Sequence, residues 1–278
     1  MKTIKLFNNY HNGDIFYSRL ITQNLKDLFN IEYYHPTALS QFEDFKNIKE
    51  YHNSSLNFLD NSSFIFDTWV GQNNAEFLRD TLCSFYTGKK ILINIFNKLN
   101  LQIPKDEDLI PYVDYDNLKD IDSVKTKLSN YDSFLKKILI SNNNVQSGQS
   151  LNFDFDPIIN ILSDRYPNYL FLITNPTSIN KNNVIHIKEI TGNEFDLLYI
   201  SFISTKCDII IGRASGPFCY CHVKENLMNQ NKTFISLTHN EIEGVWFKES
   251  ESKQIWTNNY DNNNIVNIIN NEINLWSQ

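Results

Sequence analysis

The chain has 278 residues, of which 41% are hydrophobic and 14% aromatic, and its formal net charge is −7. This length and composition can bury one large core or two smaller ones. The acidic balance argues against a nucleic-acid-binding protein, because duplex binding requires clustered Lys and Arg. No stretch of the sequence has the apolar length of a transmembrane segment. The four cysteines lack the spacing of a disulfide framework, so we expect a cytoplasmic protein.

The first half of the chain alternates between strand and helix patterns. The predicted strands are residues 3–9, 31–35 and 63–70, and the predicted helices are residues 14–29, a segment that Asn74 would cap, and residues 89–99. Residues 37–62 are polar with weak helical signals. Residues 100–135 are interpreted as a connector that contains an amphipathic helix at 123–135.

The pattern restarts at Lys136. The predicted strands of this half are residues 136–141, 169–174, 183–187, 208–211 and 233–237, and the predicted helices are residues 156–166, 195–205, 218–229 and 263–276. Repeated strand–turn–helix units imply parallel sheets with right-handed crossovers. We therefore predict an α/β fold with two Rossmann-like domains that face each other across a cleft, comprising residues 1–135 and 136–278.

A first glycine-bearing turn, His11-Asn12-Gly13-Asp14, follows the first strand. Gly13 permits a tight backbone turn. Asp14 falls at the start of a helix, where the helix dipole favours an ionised carboxylate. It is interpreted either as a helix cap or as a general base at the cleft, with His11 nearby as a second catalytic candidate that would assist Asp14 or replace it as the base. Arg19 is expected to be a surface or interdomain cation.

A second glycine-bearing turn, Gly212-Arg213-Ala214-Ser215-Gly216, follows a β-branched strand. Backbone N–H groups near Ser215 and Gly216 would approach a phosphate at the start of the next helix. Arg213 would supply a cation with bidentate geometry for a diphosphate. The alternative interpretation is a plain strand-to-helix turn with Arg213 in a surface ion pair.

Further polar groups are candidates for a nucleotide site. The turn at Ser141, Asn142 and Asn143 follows the first strand of the second half and offers hydroxyl and amide groups to a phosphate or a ribose. Glu225, further along, would accept hydrogen bonds from a ribose. Each of these residues is also compatible with an ordinary loop or surface position. Residues 219–222 contain two cysteines and a histidine but lack the second ligand pair of a structural zinc site, so no metal is expected.

Together these turns resemble the two-domain GT-B glycosyltransferases, and in particular the heptosyltransferase-like group. In that group a Gly-Asp pair after the first strand provides the catalytic aspartate, which matches Gly13-Asp14. A late Ser/Thr-Gly turn holds the donor phosphates, which matches Ser215-Gly216. The chain has Ala214 and Cys219 where the group usually has Asp and His, so a heptose donor is not implied.

The resemblance implies a glycosyltransferase that moves a sugar from a nucleotide-sugar donor to a glycan or glycolipid acceptor in surface glycan biosynthesis. The mechanism would be inverting and metal-independent, without a cofactor, and Asp14 would be the general base. The first domain would bind the acceptor and the second the donor. A lipid-linked acceptor would bring the protein to the inner face of the membrane. Two alternatives stay open, namely another nucleotide-sugar enzyme on the same scaffold (an epimerase or a phospho-group transferase) and a non-catalytic α/β binding module.

Overall fold

The computed structural model describes residues 1–52, 64–70, 84–146, 148–192, 196–241 and 247–275. Contacts between Cα atoms divide the chain into two compact units. The first comprises residues 1–119 together with 222–224, and the second comprises residues 120–221 together with 225–278. Each unit contains its own parallel sheet.

The first unit is built on a four-stranded sheet. Its strands are β1 (Thr3–Phe7), β2 (Asn30–Tyr34), β3 (Ile48–Tyr51) and β4 (Phe64–Asp67), and its longer helices are α1 (Asn12–Leu25) and α2 (Ser84–Lys98). The strand order is β3-β2-β1-β4, and every pairing is parallel. Alternation along β1 buries Ile4 and Leu6, the pattern expected of a strand with one face in the core. Short 3-10 turns lie at Asp106–Asp108 and Tyr115–Asn117.

Arg19 corrects one expectation from the sequence. Its side chain is fully buried within the first unit, and its guanidinium contacts Asp44 Oδ2 at 2.5 Å. It also donates to the carbonyl oxygens of Gln41 and Tyr112. A buried cation needs such partners, because removing a charge from water is costly. Arg19 is therefore an internal anchor of this unit and not a surface cation.

The second unit is built on a six-stranded sheet. Its strands are β5 (Lys136–Ser141), β6 (Tyr169–Ile173), β7 (Val184–His186), β8 (Ile209–Arg213), β9 (Thr233–Leu237) and β10 (Lys253–Thr257). Its helices are α3 (Ile121–Ser129), α4 (Asp156–Arg165), α5 (Lys188–Thr191), α6 (Leu197–Thr205), α7 (Gly216–Cys219), α8 (Lys224–Leu227, which begins in the first unit) and α9 (Asn262–Leu275). The strand order is β10-β9-β8-β5-β6-β7, again parallel throughout.

The centre of this second sheet is buried on both faces. All five residues of β8 and all five of β9 are buried, as expected of parallel strands covered by helices on either side. On one face, α4 and α9 pack together, and their apolar residues join the strand side chains in one core cluster.

Three predictions of secondary structure within the described residues were wrong. The segment interpreted as weakly helical contains β3, and the loop after residue 237 contains β10. The helix predicted at 218–229 is two short helices, α7 and α8. The helix start predicted at Asn74 lies outside the described residues. None of the described helices is both long enough and apolar enough to cross a membrane.

Candidate active site

Each sheet has one switch point, which is the place where the chain, after adding strands on one side of the first strand, continues on its other side. In the first unit the chain runs from β1 through β2 to β3 on one side, whereas β4 pairs with the other side of β1. In the second unit β6 and β7 lie on one side of β5, and β8, β9 and β10 lie on the other. Ligands of open parallel sheets bind at the carboxyl ends of the strands at such a switch point. The two predicted turns begin at these positions, after β1 and after β8.

Asp14 lies at the switch point of the first sheet. It is the third residue of α1, and the residue before the helix, His11, has extended backbone angles. The His11 backbone N–H donates to Asp14 Oδ2 at 3.3 Å, and the side chains of the two residues form a capping box. The Asp14 side chain is 29% exposed, so it remains accessible to a ligand. Burial raises the pKa of this carboxyl group, and the hydrogen bonds from Trp69 and His11 only partly offset that increase.

Trp69 completes this arrangement from the end of β4. Its indole Nε1 donates to Asp14 Oδ1 at 3.2 Å, and its backbone N–H donates to Asp67 Oδ1 at 2.9 Å. Its ring stacks on Tyr10, with ring centroids 3.6 Å apart. Burial also raises the pKa of Asp67. The sequence contained no signal for this group, because Trp69 and Asp14 are 55 positions apart.

A chain of buried hydroxyls fixes α1 relative to β4. The Tyr33 hydroxyl hydrogen-bonds with Ser18 Oγ at 2.7 Å and with Thr68 Oγ1 at 2.9 Å. Thr68 Oγ1 in turn donates to the Phe7 carbonyl at 2.9 Å. Ser18 lies one turn after Asp14, and Thr68 immediately precedes Trp69. The network therefore fixes the position of the Asp14 carboxylate relative to the Trp69 indole.

Gly13 does not form the tight turn predicted for it. It is the second residue of α1 and is not among the described glycines with positive φ, which are Gly148 and Gly192. The chain enters the helix directly after His11, so position 13 is an ordinary helical one.

The switch point of the second sheet is lined by hydroxyls and amides. Ser141, at the end of β5, and Ser215, just before α7, are buried, and their Oγ atoms are 3.2 Å apart. Gly212 pairs with Ser141 across the strands. A Cβ atom at Gly212 would come within 2.7 Å of Ser141 Cβ and of the Phe218 ring. The absence of a side chain therefore permits this close approach.

Asn142 and Asn143 are nearly buried and are held by residues at the end of β6. Asn142 donates through Nδ2 to the Asn175 carbonyl at 2.9 Å and accepts from the Asn175 backbone N–H at 2.8 Å. Thr174 Oγ1 donates to Asn143 Oδ1 at 2.5 Å. These side chains shape the turn after β5, which is a structural contribution to the site.

Arg213 has a different role from the predicted direct contact with a diphosphate. Its side chain is fully buried, and its guanidinium donates to backbone carbonyls of the segment that follows β5: Asn142, Asn143, Leu151 and Phe153. The rings of Phe153 and Phe155 lie 4.6 and 4.7 Å from its Cζ atom. Burial lowers the pKa of this guanidinium to about 10, so it remains a cation at neutral pH. Arg213 therefore holds the backbone at residues 142–143 and 151–153 in place.

Gly216 and Glu225 belong to separate short helices. Gly216 is the first residue of α7, which extends only to Cys219, and Ser215 precedes it with extended backbone angles. Glu225 is exposed on α8. Its predicted contact with a ribose stays a prediction.

The cysteines near α7 are buried thiols. Burial raises the pKa of Cys221, and it raises that of Cys207 to about 12, so both are neutral at physiological pH. A neutral buried thiol is a poor nucleophile and a poor metal ligand. Within the described ranges, no group of three or more His, Cys, Asp or Glu residues is arranged to hold a metal ion.

Solved structures of glycosyltransferases resemble this chain over almost its whole length. The E. coli heptosyltransferase WaaC with ADP aligns with a TM-score of 0.55 at 6% identity, over 98% of this chain and 98% of that one. WaaC with ADP-2-deoxy-2-fluoro heptose gives a TM-score of 0.54 at 7% identity, over 97% and 99%. A family 9 glycosyl transferase from Veillonella parvula DSM 2008 gives 0.52 at 11% identity, over 97% and 89%.

This chain has the fold of those transferases. The predicted α/β class with two Rossmann-like units is thereby confirmed, and so is the resemblance to the heptosyltransferase-like group at the level of the fold. No protein-family model and no curated protein matches the sequence.

Proposed function

We propose that this protein is a glycosyltransferase that moves a sugar from a nucleotide-sugar donor to a glycan or glycolipid acceptor. The observation that carries the proposal is the position of Asp14: a partly exposed carboxylate with a raised pKa, held at the switch point of a parallel sheet. The fold adds support, since a heptosyltransferase with ADP shares it over 98% of both chains.

The proposed reaction is a single inverting displacement. The acceptor hydroxyl gives its proton to an oxygen of Asp14 while the hydroxyl oxygen bonds to the anomeric carbon of the donor. The bond between that carbon and the diphosphate oxygen breaks at the same time, and the nucleoside diphosphate leaves with the electron pair. Asp14 then releases its proton to solvent. A base of raised pKa suits this step, because general-base catalysis is most efficient when the pKa approaches the working pH.

The donor is assigned to the switch point of the second unit. The Ser215 hydroxyl and the backbone N–H groups near Gly216 would hydrogen-bond to the leaving diphosphate. The buried Ser141 hydroxyl, 3.2 Å from Ser215 Oγ, would orient the Ser215 hydroxyl. Arg213 would contribute by keeping the backbone at residues 142–143 and 151–153 in place. No step of this mechanism requires a metal ion. With a lipid-linked acceptor the protein would work at the inner face of the cytoplasmic membrane.

The donor nucleotide is found by a thermal-shift panel of UDP, GDP, CDP, ADP and CMP. A ligand present at about 100 times its Kd stabilises the folded protein by about 2.7 kcal/mol. The nucleotide-sugar that matches the best nucleotide is then offered, with and without acceptors, and products are identified by mass spectrometry. A new glycoside supports the assignment as a glycosyltransferase. An isomerised donor or a transferred phosphate would show instead that the protein is a different nucleotide-sugar enzyme.

Asp14→Asn is the decisive variant. We expect transfer, and hydrolysis of the donor by water, to fall by about 10²–10⁴-fold, the usual contribution of a general base. Nucleotide binding should stay close to wild type, because the donor is assigned to the other unit. The matched control is Asp27→Asn, a carboxylate just beyond α1 that is 72% exposed and should leave the rate unchanged. Full turnover by Asp14→Asn removes Asp14 from the mechanism.

A further inference from the structure

The aromatic rings of Tyr10 and Trp69 stack beside Asp14. The proposed proton transfer to Asp14 does not require this stack. The ring planes of Tyr10 and Trp69 are 13° apart, with their centroids separated by 3.6 Å. Tyr10 is 39% exposed, so the stack presents aromatic surface to solvent next to the carboxylate. Both residues are held at the backbone: the Tyr10 N–H donates to Asn8 Oδ1 at 3.1 Å, and the Trp69 N–H donates to Asp67.

Asn8 adds an independent observation. Its side chain is fully buried, and its Nδ2 has no hydrogen-bond partner among the described residues. Buried donors are almost always paired in native proteins, and an unpaired one calls for a specific reason. Here the unsatisfied amide belongs to the residue that holds the backbone of Tyr10. The local structure is therefore not optimised for stability alone, as is common at binding sites.

We propose that the Tyr10–Trp69 stack is the platform on which the acceptor sugar lies, with its nucleophilic hydroxyl directed at Asp14. This inference rests on the proposed function. One face of a pyranose ring consists of C–H groups and packs on an aromatic ring as apolar surface, whereas its hydroxyls need polar partners. The stack supplies an apolar surface for the C–H face, and Asp14 supplies a polar partner for a hydroxyl. The hydrogen bond from Trp69 Nε1 to Asp14 fixes the position of the carboxylate relative to the stack.

Charge favours a sugar over a nucleobase on this platform. Aromatic rings also stack with bases, but a nucleotide would bring its phosphates toward the carboxylates of Asp14 and Asp67. Both carboxylates hydrogen-bond to Trp69. Repulsion between like charges at short range opposes that arrangement. A neutral sugar ring carries no such charge, so the acceptor is the better occupant.

The test is saturation-transfer NMR on the full chain with methyl glycosides as probes. The panel consists of methyl β-glucopyranoside, methyl β-galactopyranoside and methyl α-mannopyranoside, with ADP measured separately. We expect ring protons of at least one glycoside to receive saturation from the wild-type protein. Tyr10→Ala should lower that signal by about fivefold or more, the loss typical of an aromatic anchor, and Tyr10→Phe should retain it.

The matched control removes a ring from a stack elsewhere. Tyr166 and Tyr169 stack in the second unit with centroids 5.3 Å apart, so Tyr169→Ala should keep the glycoside signal. Failure of every glycoside to receive saturation, or an undiminished signal in Tyr10→Ala, overturns the platform. A loss of the ADP signal in Tyr10→Ala also overturns it, because the stack would then bind the nucleotide.

These outcomes are separate from the fate of the proposed function. If nucleotides stabilise the protein and donor hydrolysis depends on Asp14, the transferase stands even when Tyr10→Ala binds glycosides normally. If glycoside binding depends on Tyr10 but no nucleotide binds and no donor is consumed, the platform stands and the transferase fails.

Discussion

The surroundings of Asp14 have two opposite effects on the charge of its carboxyl group. As part of the capping box it accepts a hydrogen bond from the His11 backbone, which stabilises the start of α1. Its largely buried position, in contrast, raises its pKa. A carboxyl group that binds its proton more tightly in the folded state reduces the stability of the fold as the pH rises through that pKa.

This conflict predicts the stability of Asp14 variants. Asp14→Asn keeps an acceptor for the cap but removes the charge, so the free energy of unfolding at neutral pH should be unchanged or higher. Asp14→Ala loses the cap as well and should be less stable than Asp14→Asn by about 1 kcal/mol. Urea unfolding at neutral pH measures both. If Asp14→Asn loses as much stability as Asp14→Ala, the carboxylate is only a cap.

Trp69 is expected to act as a positioning residue. Its indole N–H stabilises the charged form of Asp14, so Trp69→Phe, which keeps a ring but loses the donor, should raise the pKa of Asp14 further. The acidic limb of the kcat/KM profile then moves to higher pH, and activity falls more near about pH 5 than near about pH 8.

The control for Trp69 is Trp256→Phe. The Trp256 indole also donates a hydrogen bond, but to the hydroxyl of Thr238 at 3.0 Å, where no carboxylate is involved. The acidic limb should not move in this variant. An identical pH profile in Trp69→Phe and in the wild type would show that the indole does not tune the base.

At this scale the sequence predicted Asp14 and the two serines as site residues, but not the residues that contact them. Asp14 and Ser215 were recognisable because each stands next to a glycine immediately after a strand. Trp69 was not, because its relation to Asp14 exists only after β4 pairs with β1. For Arg213, the residue type indicated a cation in the turn after β8 that would bind a diphosphate. Whether its partners are phosphates or backbone carbonyls depends on burial, which the local sequence does not encode.

Strand β8 shows how one missing side chain sets the spacing of the second switch point. A Cβ atom at Gly212 would lie 2.7 Å from Ser141 Cβ and from the Phe218 ring. Gly212→Ala should therefore destabilise the protein by about 1–3 kcal/mol, as overpacked core substitutions do, and weaken nucleotide binding by displacing Ser141 from Ser215.

Gly88→Ala is the matched control for Gly212→Ala. Gly88 lies inside α2, and a Cβ atom there would meet its nearest neighbours at 3.4 Å, an ordinary contact distance. Alanine in a helix interior is favoured over glycine by up to about 1 kcal/mol. Thermal unfolding should show a neutral or stabilised Gly88→Ala. A Gly212→Ala variant of wild-type stability would mean that the sheet adjusts without loss.

Elements were predicted well where their apolar pattern was strong. β5 and β9 begin and end at the predicted residues, and α4 and α9 deviate by one residue at most at either end. β3 and β10 were missed because both lie at the edge of a sheet. They expose polar side chains such as Lys49 and Lys253, so they lack the apolar run of a central strand.

At the scale of the whole molecule, the restart of the strand pattern at Lys136 identified a second sheet, and β5 begins there. The sequence pattern did not indicate the limits of the two compact units. α3 belongs with the second unit, and residues 222–224 belong with the first. The backbone N–H of Lys224 donates to the Pro111 carbonyl at 2.7 Å. Such assignments depend on contacts across more than a hundred positions, which local periodicity does not report.

In both sheets, the strands that meet at the switch point are the pair farthest apart along the chain. Ile4 pairs with Phe64, whereas the other pairings of that sheet join Thr3 to Asn30 and Ile31 to Ile48. In the second sheet Ile138 pairs with Ile209, a longer separation than at any other pairing there. Closing a longer loop costs more entropy before its contacts form. During refolding, the contacts around Asp14 and around the Ser141–Ser215 pair should therefore form later than the helical signal, because each group lies at the strand pairing of its sheet that is expected to form last.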